Sequence, residues 1–229
     1  MSRHDRQLAL HEEVMLLALR NEKGTFAGGT MYAQAAGGAI LAELLLRGRI
    51  EAVSEGRSTY AMVTDPSPVD DAVLDECLAK MHTARRRGTL QAWVQQCAGV
   101  KNLKHRVAAS LADKGILRAD EEQVLVLFSR RVYPELDPTV ERAIVARLHD
   151  AILSDDKPVA PRTTVLLALA HHAGLLKQNF DRQTLKARRA RIDAIIKGDA
   201  IGKATKAAIQ AIQAALMMVV ILPAMGGRH

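Results

Sequence analysis

Lys101, Lys104 and Arg106 fall within six residues of one another, and Arg85, Arg86 and Arg87 form a run shortly before them. Ammonium and guanidinium groups gathered in this way collect phosphate oxygens, Lys as a point charge and Arg as a bidentate fork. Both groups lie in a stretch of 36 residues, 77–112, that also holds Lys80 and contains no Asp or Glu. Its seven cations equal the whole chain's net charge of +7, so the rest of the sequence is balanced. A second, weaker basic run, residues 182–206, carries eight cations against Asp193 and Asp199. So uneven a distribution points to an anionic partner: nucleic acid, anionic lipid or an acidic protein.

Groups that could catalyse a reaction are present only singly. His171 and His172 are adjacent, so on a helix their rings point about 100° apart and do not converge on a metal. Cys77 and Cys97 lack the second half of a zinc site, and two cysteines are too few for a disulfide framework. They suit a reducing compartment. Glu12 and Glu13 show no acid–base partner nearby and read as helix-surface or capping groups. Nucleophile-elbow, zinc-protease, phosphate-loop and dinucleotide signatures are absent. The sequence therefore reads as a non-enzyme with no metal site and no cofactor.

The elements that must carry the cations are mostly helical. The 229 residues are 48% apolar but only 3% aromatic, which suits helices packed closely on helices. Residues 8–20, 31–46, 69–81, 89–97, 101–113, 139–153, 162–177 and 184–197 read as helices from their apolar spacing. In the first, Leu10, Val14 and Leu17 form the buried stripe and His11, Glu12 and Glu13 fall on the other side. The second is apolar nearly all round, with Gly37 and Gly38 permitting a close backbone approach. In the fifth, Lys101, Lys104 and, less closely, Arg106 share a side, and Lys114-Gly115 is a stop signal. Two β-hairpins are expected. One pairs 50–53 with 59–63, and the other pairs 116–117 with 124–128 around a polar turn at 120–123. The fold class is mainly α: a single compact helical domain, 1–229, with two small β-hairpins and a flexible start at 1–7. Residues 1–13 have no secretory h-region. The uncharged segment 207–227 reads as a buried C-terminal helix, interrupted by Gln210, Gln213 and Pro223.

Six segments in order resemble one family. They are LALHEEVMLLAL from residue 8, GGAILAELLLRGRI at 37–50, LDECL at 74–78, TLQAWV at 89–94, NLKHRVAASLADKGIL at 102–117 and RTTVLLALAH at 162–171. Together they resemble the Golgi phosphoprotein 3 family, and the absence of a long acidic N-terminal tail is similar to its bacterial branch. The resemblance implies a single mostly helical domain without catalytic activity. It implies binding of phosphatidylinositol 4-phosphate on a basic face, insertion of an apolar hairpin into the membrane, and capture of the cytosolic tails of membrane proteins. Lys101 and Lys104 match the family's two basic residues three apart. The family's Trp and earlier Arg fall on Gly28 and Gly37, so half of the head-group pocket is missing. Val124, Leu125, Val126, Leu127 and Phe128 match the inserting hairpin, beside the acidic Asp120, Glu121 and Glu122.

The function expected from these readings is a cytoplasmic, peripheral membrane adaptor binding anionic phospholipid through Lys101, Lys104, Arg106, Arg85, Arg86 and Arg87. Its partners would be anionic lipid, cytosolic tails of membrane proteins and, as an open question, a second copy of the chain. The alternative is a winged-helix-like nucleic-acid module, since a helix followed by a hairpin occurs twice. Its first helix is too apolar to lie in a groove.

Overall fold

The helix that organises the molecule is short and buried on every side. In α1 (Leu10–Ala18) all nine residues are buried, including His11, Glu12 and Glu13. The description rests on a computed structural model and covers residues 7–20, 25–26, 31–123, 129–155 and 158–198. After α1, a two-residue ribbon pairs β1 (Leu19–Arg20) with β2 (Thr25–Phe26). There follow α2 (Met31–Leu46), the hairpin β3 (Ile50–Glu55) and β4 (Ser58–Val63), α3 (Ala72–His82), α4 (Leu90–Ala98) and α5 (Leu103–Asp113). The second hairpin is β5 (Asp120–Gln123) and β6 (Ser129–Val132). The chain then forms α6 (Pro138–Leu153), α7 (Pro161–His172), α8 (Leu176–Asn179), α9 (Arg182–Ala187) and α10 (Arg189–Ile196). The fold is mainly α, as the composition required. The described residues hold three two-stranded ribbons rather than two.

α1 and α2 form the centre. α1 packs on α2, α5, α6 and α7, while α2 also meets α3, α4 and α7. A helix enclosed by four others has no solvent face, so its polar residues go inside with their partners. Contact between α2 and α4 is closest at Gly37, where a Cβ would lie 2.4 Å from the Val94 carbonyl oxygen and 2.7 Å from the Ala98 nitrogen. The expected backbone approach is therefore real.

Local chemistry sets the ends of the helices. Asp71 caps α3 by accepting from the Val73 and Leu74 N–H groups, both at 3.0 Å. Thr89 caps α4 and Asp137 caps α6. Gly115, at φ +74°, ends α5 with Ile116 N–H bonded to Leu111 O and Gly115 N–H to Ala112 O, the Schellman pattern anticipated from Lys114-Gly115. The same pattern recurs at Gly174, where Leu175 N–H reaches Ala170 O, and it divides the expected helix 162–177 into α7 and α8.

The second hairpin differs from the sequence expectation. Residues 120–123, read as its turn, form a strand, and the five residues read as its second strand fall between β5 and β6. Register explains the shift: Glu121 stands opposite Arg131 and Glu122 opposite Arg130. An apolar-alternation rule does not see such pairing. Val124, Leu125, Val126, Leu127 and Phe128 lie outside the described residues, as do Gly28 and the segment 207–227.

Candidate functional site

The basic stretch 77–112 occupies the end of α3, the loop after it, α4 and most of α5. The loop is pinned to the first hairpin: Thr89 bridges Tyr60, and Ala61 N–H donates to Gly88 O at 3.1 Å. Arg87 is held there too. Its guanidinium donates to both Glu55 carboxylate oxygens, the Nη2–Oε2 bond being 3.0 Å, and its carbon lies 5.1 Å from the Tyr60 ring centre. Arg85 and Arg86 are exposed and have no carboxylate partner among the described residues.

The second group sits around the start of α5. Lys101 is exposed in the turn that precedes the helix, which begins at Leu103. It therefore does not share a helix face with Lys104, contrary to the expectation for 101–113. Lys104 is half-buried, and burial pushes its ammonium pKa down. Arg106 turns toward α3, where it pairs with Glu76 and donates to Ala72 O at 3.0 Å. Glu76 also takes Lys80 at 2.6 Å, an i,i+4 pair on α3. Hydrogen bonds from Lys80 and Arg106 hold the Glu76 carboxyl below its usual range.

The acid-free stretch of sequence is thus not acid-free in space. Glu76 and Glu55, which both precede it in the chain, engage Lys80, Arg106 and Arg87. Arg85, Arg86 and Lys101 remain exposed, and Lys104, near Lys101 in sequence, is half-withdrawn. Both cation groups attach to α3: Arg106 docks on its first half, and Arg85 and Arg86 follow its C-terminus. The second basic run is also partly spent. Arg188 pairs with Asp155 at 2.9 Å and donates to Leu153 O at 2.8 Å, tying α9 to the end of α6.

The reading of Glu12 and Glu13 as surface groups is overturned, because both are buried and ion-paired. Glu12 accepts from the Ala9 N–H at 3.0 Å, which is the capping role anticipated, and from Ser110 and Lys114 of the α5 end. Glu13 pairs with Arg147 at 2.9 Å and lies 3.7 Å from Arg162. Burial outweighs both cations there and raises its carboxyl pKa. Glu43 of α2 accepts from Leu10 N–H at 2.8 Å, Arg47 at 2.8 Å and Arg162 at 3.0 Å. Burial alone would raise Glu43, but Arg162, Arg47 and the Leu10 amide together lower it. His11 sits 3.3 Å from Asp71. These groups join α1 to α2, α3, α5, α6 and α7, so they hold the frame.

The other candidates also have places. Cys77 and Cys97 are free, buried thiols. The His171 and His172 rings lie edge to face, 5.4 Å apart and at 77°. No group of three or more His, Cys, Asp or Glu suited to a metal occurs among the described residues. None of the described helices is long and apolar enough to cross a membrane. Position 37, where the resemblance placed a missing Arg, abuts the α4 backbone and has no room for a side chain. Glu55, Tyr60 and Glu76 position the cations yet were not singled out in the sequence. Only Glu76–Lys80 left a signal, its four-residue spacing.

Residues 10–212 match the family described as Golgi phosphoprotein 3 (GPP34). The chain is also similar to vacuolar protein sorting-associated protein 74 of Schizosaccharomyces pombe, 24% identical over 225 residues, covering 83% of this chain. The matched part spans 66% of that relative's length, just under two thirds.

Proposed function

This chain belongs to the Golgi phosphoprotein 3 family, and from that premise we propose that it is a non-catalytic peripheral membrane adaptor that docks on anionic phospholipid. The carrying observation is that Arg85, Arg86 and Lys101 stand exposed without carboxylates while their neighbours Arg87 and Arg106 are fixed in ion pairs. Fixed pairs give the face a shape, and unpaired cations give it a field. Arg85, Arg86, Lys101 and Lys104 contact lipid phosphates in this reading, with phosphatidylinositol 4-phosphate among the lipids bound. Each is worth about 1 kcal/mol at an anionic surface. Four together supply about 4 kcal/mol, a contact near the millimolar range. Tighter binding then needs a second attachment, either insertion of Val124, Leu125, Val126, Leu127 and Phe128 or association of copies.

Held at the cytosolic face in this way, the domain presents its remaining surface to tails of membrane proteins. Lys in place of a guanidinium fork, and glycine at positions 28 and 37, favour reading of charge density over head-group stereochemistry. A nucleic-acid module remains the competing reading. Sedimentation with phosphatidylglycerol vesicles tests the proposal against it. The triple variant Arg85→Glu, Arg86→Glu, Lys101→Glu alters only exposed groups and is expected to lose vesicle binding at an unchanged melting temperature. Undiminished binding by that variant, or stronger binding of the native chain to duplex DNA at matched salt, overturns it.

A further inference from the structure

A cavity of about 670 Å³ opens between α6 and the segment around α8, outside the basic stretch 77–112. Leu19, Glu141, Arg142, His149, Asn179 and Phe180 are among its walls. This volume is in the range of small-molecule sites. Glu141 is the unusual member: it is 3% exposed, and no donor reaches its Oε1. Its neighbour Glu135 also has an Oε1 that no donor reaches, and the two carboxyls hydrogen-bond to each other. Two carboxyls in contact hold one proton between them.

We infer that this cavity is a binding site for a small planar organic cation, an amidinium or guanidinium whose charged end pairs with the Glu141 carboxyl. Three features favour a cation. Asn179 spends its amide nitrogen on Leu17 O and Leu175 O, so what it can still offer a ligand is its carbonyl oxygen, an acceptor beside the Glu141 carboxyl. Arg142, the cation among the walls, is exposed, so solvent screens its charge, and its Nε is spent on Pro138 O. The His149 and Phe180 rings are parallel within 7°, with centres 6.3 Å apart, and offer flat faces to a planar group.

Charge also closes. Burial first, and Glu135 second, push the Glu141 carboxyl up to about 8, so in the empty site it holds the proton. Arg142 offsets the charge of Glu135, whose other charged neighbour is Asp137. On the α1 side, Glu13 is taken by Arg147 and Arg162. His149 stands at the exposed mouth. When the cation enters, the Glu141 proton leaves to solvent, and two carboxylates then face two cations. Binding should therefore release a proton and tighten as pH rises.

Titration calorimetry of the full chain with benzamidine, which stays cationic throughout, tests this between pH 6 and pH 9. One saturable site is expected, with a heat that varies with the buffer's ionisation enthalpy and an affinity that rises about tenfold across the range. The neutral isostere benzamide, titrated into the unaltered protein, should bind at least about tenfold more weakly, as should benzamidine with Glu141→Gln. No binding of benzamidine, equal binding of benzamide, equal binding by Glu141→Gln, or indifference to pH would each overturn the inference.

Discussion

Whether a cation on this protein is available to a partner depends on which carboxylate reaches it. Arg106 and Lys80 share Glu76, so the charge that a sequence count assigns to the basic face is partly cancelled there. Replacing Glu76 with Gln should release both cations and strengthen binding to anionic vesicles by about fivefold, roughly 1 kcal/mol, in the same sedimentation assay. Weaker binding would show that these two pairs orient the face rather than mute it. Glu141 makes the residue-scale prediction for pH. Its carboxyl is raised from 4.5 to about 8, so the folded state holds a proton that the unfolded chain has already lost between those values. The stability tied to that proton is full below 4.5 and is lost as pH climbs through about 8. Thermal unfolding of Glu141→Gln should accordingly show less decline between pH 6 and pH 9 than the unaltered chain, and parallel curves would contradict the assignment. The cations themselves were legible from residue types and spacing. Their counter-ions were not, since Glu55 lies 32 residues from Arg87 and Glu76 lies 30 from Arg106.

At the scale of elements, apolar spacing gave the long helices, and Gly115 marked the end of α5 in the expected way. It misjudged α1, where Leu10, Val14 and Leu17 define a stripe but four neighbouring helices also enclose the opposite side. Glu12 and Glu13 are buried because their partners arrive from 102 and 134 residues away, at Lys114 and Arg147. No local pattern encodes such separations. Gly37 is the converse case, a residue whose oddity within an apolar helix correctly signalled a contact. Gly37→Ala should gain up to about 1 kcal/mol in helix propensity. It would also force a Cβ onto the α4 backbone, and overpacking of this kind costs about 1–3 kcal/mol. Backbone atoms cannot yield as a flexible side chain can, so the clash should win. Differential scanning calorimetry is expected to show a lower melting temperature for Gly37→Ala, and a higher one would mean that α2 and α4 separate without cost. The second hairpin was misread because its strands, DEEQ and SRRV, are mostly polar where apolar alternation was sought.

For the whole molecule, the fold is a buried helix pair held by long-range ion pairs, with a loop and a helix start that carry exposed cations. In the proposed docking, a frame fixed by Glu12, Glu13, Glu43 and Arg162 would let the surface charges act together on a broad anionic plane. Exposed charges act through solvent, so their attraction shrinks as the Debye length falls from about 10 Å at 0.1 M salt to about 3 Å at 1 M. The most direct measurement is co-sedimentation of the full chain with vesicles of phosphatidylcholine alone and of phosphatidylcholine containing phosphatidylglycerol, each at low and high salt. Docking through the basic face predicts binding only to the anionic vesicles, most of it lost at 1 M salt. Binding that persists on neutral vesicles and is indifferent to salt would contradict the account.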